Sequence, residues 1–291
     1  MVDIGTATAG GGVDIAAESV ATCHPQGVEA VLGLQDRGRA VAAMGLGFER
    51  FITAQVEVAA VIGIGGGGTS MICTGLRALP LGLPKLMVST LVEALADCFD
   101  PMVFHATGTG GRSMEQLADS GLLVGFADMT TTEIADLLVG GVLPATEDRL
   151  GAVQRARLPW VGSVGALDMV NFWAPETLPA RFAGRRLYHH NPNVTLMRTA
   201  VEGCSRIGAW MAGRLDLCNG QVRLLLPEKA VSALDIQGGA FFDPEAHAAL
   251  FEAIEARLKS TARRQVMRLP LHINDPAFAR VAVDMLCSLI K

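Results

Sequence analysis

The sequence predicts an α/β fold built on a largely parallel sheet. Short apolar runs alternate with amphipathic segments, and glycine-rich turns separate them. Parallel strands are covered on both faces and therefore read as continuous apolar runs, and their alternation with helices is typical of α/β proteins. Hydrophobic residues make up 50% of the 291 residues and charged residues only 18%. This content is enough for a sizeable core and excludes a disordered chain.

Each element follows from its local pattern. The predicted strands are the apolar runs at 58–64, 85–88, 102–105, 122–127, 160–164 and 221–226. The predicted helices are the amphipathic stretches near 35–54, 112–120, 131–139, 246–259 and 276–290. We place a domain boundary after Thr90, which gives an N-terminal domain over 1–90 and a C-terminal domain over 91–291.

Composition also limits the partners and the location of the protein. The net charge is −5 and the basic residues form no patch, so no nucleic-acid partner is expected. No apolar run approaches the roughly 20 residues of a membrane span, so no membrane partner is expected. The first residues lack the features of a signal peptide, which predicts a cytoplasmic protein. Six scattered cysteines without a CxxC pair indicate reduced thiols. Base rates favour a homo-oligomer.

Two glycine-rich loops are candidate anion sites. Each follows a predicted strand, and each leads into a helical segment. The first contains Gly65, Gly66, Gly67, Gly68, Thr69 and Ser70, and the second contains Thr107, Gly108, Thr109, Gly110 and Gly111. Glycine lets the backbone approach a phosphate closely, and a helix N-terminus presents free N–H groups to it. The alternative is a tight turn without a ligand. The first loop is no Walker A motif, since no lysine follows its last glycine.

Polar side chains after the later strands predict a second site. The candidate catalytic residues are His105, Asp128, Asp168, His190 and Arg198, with Asn171 and His272 as further members. Carboxylates and imidazoles at strand ends can act as acid–base groups or hold a divalent metal. Such a site is expected to bind a small acidic or hydroxylated molecule. Buried, purely structural roles remain the alternative for each of these residues.

Three further polar residues have simpler explanations. Thr130 and Glu133 have the spacing of a capping box, which predicts a structural role at the start of a helix. Arg149 follows Asp148 near a predicted helix start, where it is either an anion clamp or part of a solvated face.

Several ordered strings resemble the Tm-1-like ATP-binding family. They include GIGGGGTS, LPLGLPKLMVST, VFHATGTGGRSMEQL, DMTTTEIADLLVGGVL, VGALDMVNF, HNPNVTLMRT, LLLPEKAVSALDIQGGAFFDPEA and HINDPAFA, and they run from about residue 58 to 280. So many strings in one order make the resemblance specific. It implies two Rossmann-like domains with mainly parallel sheets, and ATP, with or without Mg²⁺, as the ligand. It assigns no reaction.

The chain departs from the family pattern in three places. It begins after the family's first strand, its first glycine loop is one residue shorter, and a long segment is missing after Thr90. The resemblance therefore implies an incomplete first domain. Three functions stay open: a nucleotide-binding protein, a metal-assisted enzyme of small-molecule metabolism, and a truncated relative without catalytic activity.

Overall fold

The computed structural model describes residues 2–6, 13–34, 36–55, 58, 61–64, 78–79, 85–88, 110–191 and 193–290. The helices of this part of the chain are α1 (Ala17–Ala21), α2 (Glu29–Leu32), α3 (Arg37–Thr53), α4 (Gly110–Asp119), α5 (Thr132–Val139), α6 (Gly151–Ala156), α7 (Val201–Asp216), α8 (Pro244–Arg257) and α9 (Pro276–Ile290). The strands are β1 (Val61–Ile64), β2 (Lys85–Val88), β3 (Phe126–Thr130), β4 (Trp160–Gly165), β5 (Met169–Phe172), β6 (Leu187–Asn191), β7 (Val194–Arg198), β8 (Val222–Pro227) and β9 (Arg264–Leu269).

The chain divides into two compact units. Unit 1 comprises Met1–Thr90 and His189–Thr195, and unit 2 comprises Leu91–Tyr188 and Leu196–Lys291. In unit 1, helices α1 to α3 enclose a small core that includes the fully buried Met44. Strand β1 pairs with β2 in parallel, with Ile64 opposite Val88. Two parallel strands have to be joined by a crossover connection, which is typical of α/β folds. The parallel pair in unit 1 therefore agrees with the predicted fold class.

Unit 2 is built on a four-stranded parallel sheet in the order β3-β4-β8-β9. Successive side chains of a strand point to opposite faces of the sheet, and both faces of β8 are buried. Leu224 belongs to the large core with α7 and α8, whereas Leu225 belongs to a second core with Phe278 and Val283 of α9. Helices on both faces of a parallel sheet confirm the predicted α/β class. A separate three-stranded sheet has the order β5-β7-β6.

The five predicted helices are present within two residues of their predicted ends. Several other elements were not predicted, namely α1, α2, α7, β5, β6, β7 and β9. Helix α7 contains three glycines, which lower helix propensity. Tertiary packing requires a glycine at Gly208, because a Cβ there would lie 2.5 Å from the carbonyl oxygen of Leu250 on α8. Strand β9 carries two arginines and is only half-buried, so it lacks a continuous apolar run.

One predicted strand is displaced. The run at 122–127 was expected to be buried, yet Leu122 is 77% exposed and Val124 is 60% exposed. The strand itself starts at Phe126 and extends to Thr130. The predicted strand at 102–105 lies outside the described residues. No helix in the described ranges is long and apolar enough to cross a membrane.

Candidate functional site

The carboxyl edge of the parallel sheet in unit 2 carries a buried polar cluster. Asp168 follows β4, while Ser232 and Asp235 follow the neighbouring strand β8. Arg198 at the end of β7 and His247 on α8 complete the group. We call these five residues the Asp168 cluster. In open α/β sheets, ligands bind at the carboxyl ends of the strands, so the cluster occupies the edge where a site is expected.

Asp168 is the most buried carboxylate of this cluster, with 1% of the residue exposed. Its Oδ2 accepts a hydrogen bond of 2.7 Å from the Ser232 hydroxyl. Its Oδ1 is buried and has no hydrogen-bond partner among the described residues. Burial raises the pKa of Asp168 to about 6, and the nearby charge of Asp235 adds to that rise. Asp168 therefore keeps one acceptor that the described residues do not satisfy.

Arg198 holds the loops of the cluster together. Its Nε donates to the carbonyl of Phe241 at 2.7 Å, and Nη1 donates to the carbonyls of Asp168 and Thr199 at 3.1 and 3.0 Å. Its Nη2 lies 3.5 Å from Asp235 Oδ1 and 3.4 Å from the Asp243 carbonyl. These five contacts equal the five N–H donors of a guanidinium. Arg198 was predicted as a catalytic residue, but its donors are committed to the protein.

The partly buried His247 pairs with the buried Asp235. His247 Nδ1 lies 3.0 Å from Asp235 Oδ2, which also accepts from the N–H of Val231 at 3.3 Å. A carboxylate only accepts hydrogen bonds, so Nδ1 carries a proton, and in the neutral form of the ring Nε2 is then an acceptor. Nε2 is buried and has no partner among the described residues. The ring packs edge-on against Phe251, with 4.3 Å between the centroids, which fixes its orientation.

A second buried cluster surrounds Arg149, which is 1% exposed. Its Nη2 lies 2.8 Å from both oxygens of Asp128, its Nε donates to Glu133 Oε1 at 2.8 Å, and its Nη1 donates to Glu115 Oε1 at 3.2 Å. We call these four residues the Arg149 network. Both interpretations of Arg149 from the sequence were wrong, because it is neither solvated nor available to an external anion.

The network places three carboxylates around one guanidinium. Burial raises the pKa of Glu115 to about 7 and raises the pKa of Glu133, while the Arg149 charge opposes both shifts. The capping-box prediction was also wrong. Helix α5 begins at Thr132, the side chain of its N-cap residue Thr131 makes no capping hydrogen bond, and the Glu133 carboxylate contacts Arg149 instead. Asp128 has both oxygens paired with Arg149, so it is a structural residue in the described arrangement.

Asn171 belongs to a third group. Its backbone N–H and its Nδ2 donate to Asp136 Oδ1 at 2.7 and 3.1 Å, and Asp136 Oδ2 accepts from the N–H of Leu143 at 2.9 Å. Burial raises the pKa of Asp136 to about 6. Asp128, Asp168 and Asn171 thus lie in three different hydrogen-bonded groups. Within the described ranges, no group of three or more His, Cys, Asp or Glu residues could hold a metal ion.

Two of the predicted histidines, His190 and His272, are among the described residues. His190 is in β6 and falls within unit 1, whereas Asp128 and Asp168 belong to unit 2. His272 Nδ1 accepts from the N–H of Asn274 at 2.8 Å, in the turn after β9. His105 lies outside the described residues. Among the predicted members that the structure describes in unit 2, Asp168 and Arg198 share one cluster, whereas Asp128 and Asn171 belong to other hydrogen-bonded groups.

Of the two glycine loops, only the end of the second is described. Residues 65–70 and 107–109 lie outside the described residues. Gly110 is the first residue of α4, and Gly111 follows it against the Arg149 network. A Cβ on Gly111 would lie 2.5 Å from Glu133 Oε1 and 3.0 Å from Arg149 Nε. Gly111 therefore has a packing reason to be glycine, apart from any contact with a ligand.

Sequence reasoning missed His247 and Glu115 as members of buried clusters. Both lie within amphipathic helices, where a polar residue ordinarily indicates the solvated face. No local signal separates them from exposed helix residues, because their partners Asp235 and Arg149 are 12 and 34 positions away. Ser232 and Asp235 were visible as polar residues after a strand, but not as members of one cluster with Asp168.

This geometry defines an α/β protein whose parallel sheet carries two buried ionic clusters. The chain belongs to the uncharacterised protein family UPF0261: the family's N-terminal domain matches residues 1–99, and its C-terminal domain matches residues 78–290. It is 51% identical to UPF0261 proteins of Mesorhizobium japonicum and Rhizobium meliloti, covering 98% and 97% of this chain and 90% of each relative.

A plant protein is also similar. The chain is 33% identical to the ToMV resistance protein Tm-1(GCR237) of Solanum lycopersicum, over 93% of this chain and 47% of that protein. The chain thus resembles about half of the tomato protein. This similarity agrees with the Tm-1-like resemblance seen in the sequence strings.

Proposed function

We propose that this protein binds a nucleotide through its phosphate groups at the loop 65–70, with the loop 107–111 as a second candidate anion-binding loop. The observation that carries the proposal is the placement of both loops. The first begins directly after Ile64, at the carboxyl end of a strand with a parallel neighbour, and the second ends in the first turn of α4. Parallel strand ends and helix N-termini are the places where α/β proteins bind phosphates.

ATP is the proposed nucleotide because the sequence strings resemble a family named for ATP binding. Mg²⁺ is a natural companion of the phosphates, and it takes oxygen ligands from them as well as from protein hydroxyls such as Thr69 and Ser70. A cytoplasmic homo-oligomer remains the proposed state of the protein. No reaction is proposed for the nucleotide.

A truncated relative that has lost binding is the competing proposal, and one observation favours it. The alignment with the Mesorhizobium protein extends over 359 positions, more than the 291 residues of this chain. Some residues of the relative therefore have no counterpart in this chain. A missing internal segment after Thr90 accounts for such a difference. The experiment therefore has to compare the ATP binding of this chain with that of the Mesorhizobium relative.

Calorimetric titration with ATP and Mg²⁺ tests the proposal. We expect saturable binding to this chain and to the Mesorhizobium relative, and weaker binding of inorganic phosphate. The double substitution Thr69→Ala and Ser70→Ala is expected to weaken ATP binding about tenfold, through loss of two hydroxyl donors. The matched control is Thr177→Ala with Ser288→Ala, two exposed hydroxyls that donate to local carbonyls. This control is expected to bind like the parent chain.

The other outcomes are equally informative. Binding by the relative and none by this chain would overturn the proposal and support the truncated relative. Equal binding by the Thr69→Ala/Ser70→Ala protein and by the control would place the nucleotide elsewhere.

A further inference from the structure

The Asp168 cluster carries two buried hydrogen-bond acceptors that the described residues leave without a donor. They are Asp168 Oδ1 and His247 Nε2. Buried polar atoms in native proteins nearly always have a partner, so two in one connected cluster require an explanation. Asp168 is 1% exposed, which rules out bulk solvent as the donor for its oxygen.

The two acceptors belong to one connected group. The Arg198 guanidinium contacts the Asp168 carbonyl with Nη1 and Asp235 Oδ1 with Nη2, and Asp235 holds the ring of His247. The Ser232 hydroxyl donates to Asp168 and accepts from the N–H of Leu234, so that hydroxyl has no proton left for a ligand. Among the described residues, the other side-chain polar atoms of the cluster have partners, which leaves Asp168 Oδ1 and the Nε2 of a neutral His247 as acceptors.

The charges of the cluster indicate which kind of ligand these acceptors can bind. The cluster contains two carboxylates, Asp168 and Asp235, against the single guanidinium of Arg198. All five donors of that guanidinium are already used. An anion would therefore meet two carboxylates, and neither Arg198 nor Ser232 has an unused donor to receive it. A ligand with hydroxyl or ammonium groups supplies the hydrogen-bond donors that both atoms lack.

We propose that the Asp168 cluster is a binding site for a small molecule that carries hydroxyl or ammonium donors, with Asp168 Oδ1 and His247 Nε2 as the receiving atoms. The site lies at the carboxyl edge of the sheet in unit 2, and the side chain of His247, 15% exposed, is its most accessible member. We expect this site to exclude acidic molecules, which the sequence analysis kept as possible ligands. The proposal does not depend on the glycine loops or on ATP.

Ethanolamine is a suitable probe because it carries both donor types, and ethylene glycol and acetate complete the series. The readout is the long-range ¹H–¹⁵N spectrum of the histidine rings in the full chain, with His247 assigned by its loss in His247→Gln. We expect His247 with its proton on Nδ1, and a saturable shift of its Nε2 resonance with ethanolamine. A smaller effect is expected with ethylene glycol and none with acetate.

Asp168→Asn is expected to weaken ethanolamine binding about tenfold, because a charge-assisted hydrogen bond is lost. The matched control is Asp148→Asn, an exposed carboxylate that pairs with Arg155 outside the cluster. If Asp168→Asn does not fold, His247→Phe replaces it, with saturation transfer from the protein to the ethanolamine methylenes as the readout and about the same loss expected.

Two results would overturn the proposal. One is the absence of a saturable shift at His247, which would mean that ordered water alone satisfies the two acceptors. The other is equal affinity of Asp168→Asn and Asp148→Asn for ethanolamine. Failure of ATP binding would leave the proposal untouched, because ATP is expected at other loops.

Discussion

Arg149 Nη2 lies 2.8 Å from each carboxylate oxygen of Asp128, and both side chains are buried. Asp128 is in β3, whereas Arg149 precedes α6, so the pair ties the loop before α6 to the sheet. Glu133 on α5 and Glu115 on α4 bind the same guanidinium. One cation in the loop before α6 thus connects helices α4 and α5 to strand β3, and several consequences can be measured.

Removal of the cation is expected to be strongly destabilising. Arg149→Met leaves three buried carboxylates without their counter-charge, and breaking a buried ion pair from one side costs about 3–5 kcal/mol. Urea unfolding of the full chain measures the loss. Arg155→Met is the matched control, because Arg155 pairs with Asp119 and Asp148 at the surface and such pairs contribute about 0–1 kcal/mol. Equal losses for the two variants would contradict the prediction.

Stability is expected to fall as pH rises from about 4.5 to 7. The pKa of Glu115 is about 7 in the folded protein against an ordinary 4.5, so the folded state retains a proton that the unfolded state has released. Its stabilising contribution is full below pH 4.5 and is lost as pH rises through 7, by about 3 kcal/mol. Asp136 and Asp168, each with a pKa of about 6, act in the same direction.

Glu115→Gln isolates the contribution of this residue, since the amide keeps an acceptor for the Leu150 N–H but does not ionise. The free energy of unfolding at pH 5 and pH 8 is expected to differ less in Glu115→Gln than in the parent chain. Glu255→Gln is the control: Arg268 lowers the pKa of Glu255, so its titration lies below this pH window. A pH dependence unchanged by Glu115→Gln would show that Glu115 is ionised in the folded protein.

Two glycines are expected to respond in opposite ways to alanine. Gly111→Ala places a Cβ against Glu133 and Arg149, and overpacking of this kind costs about 1–3 kcal/mol. Gly213→Ala on α7 meets only the flexible side chain of Arg257 at 3.1 Å, and alanine favours the helix by up to about 1 kcal/mol. Thermal unfolding distinguishes the two variants, and a destabilised Gly213→Ala would contradict the second half of this prediction.

Asp136 is expected to require a carboxylate. It accepts three hydrogen bonds, two from Asn171 and one from the N–H of Leu143. In Asp136→Asn the new amide turns N–H groups towards one of these donors, so a buried donor loses its partner at a cost of about 1–3 kcal/mol. Urea unfolding measures this change at pH 7, and the exposed Asp148→Asn is expected to remain within about 0.5 kcal/mol of the parent.

Much of the fold could be predicted, but little of the site. Helix α9 and strands β4 and β8 have strong local patterns, and their positions were predicted nearly to the residue. Strand β9 was missed because its arginines break the apolar run. At the site, Arg198 was singled out in a segment rich in polar residues and Asp168 for lying after a strand, and the structure brings them into one cluster. Asp128 was singled out for the same reason, yet its partner is Arg149, which the sequence left as a surface or anion-binding residue.

The sequence by itself determined the α/β class, the positions of five helices, and the placement of the first glycine loop after a strand. These properties depend on periodicity and turn residues, which are local along the chain. Only the tertiary structure decided which charges share a cluster. Asp168 meets Ser232 across 64 positions, and Arg149 meets Glu115 across 34. The free energy of a buried charge depends on its partners in space, and no local pattern encodes those partners.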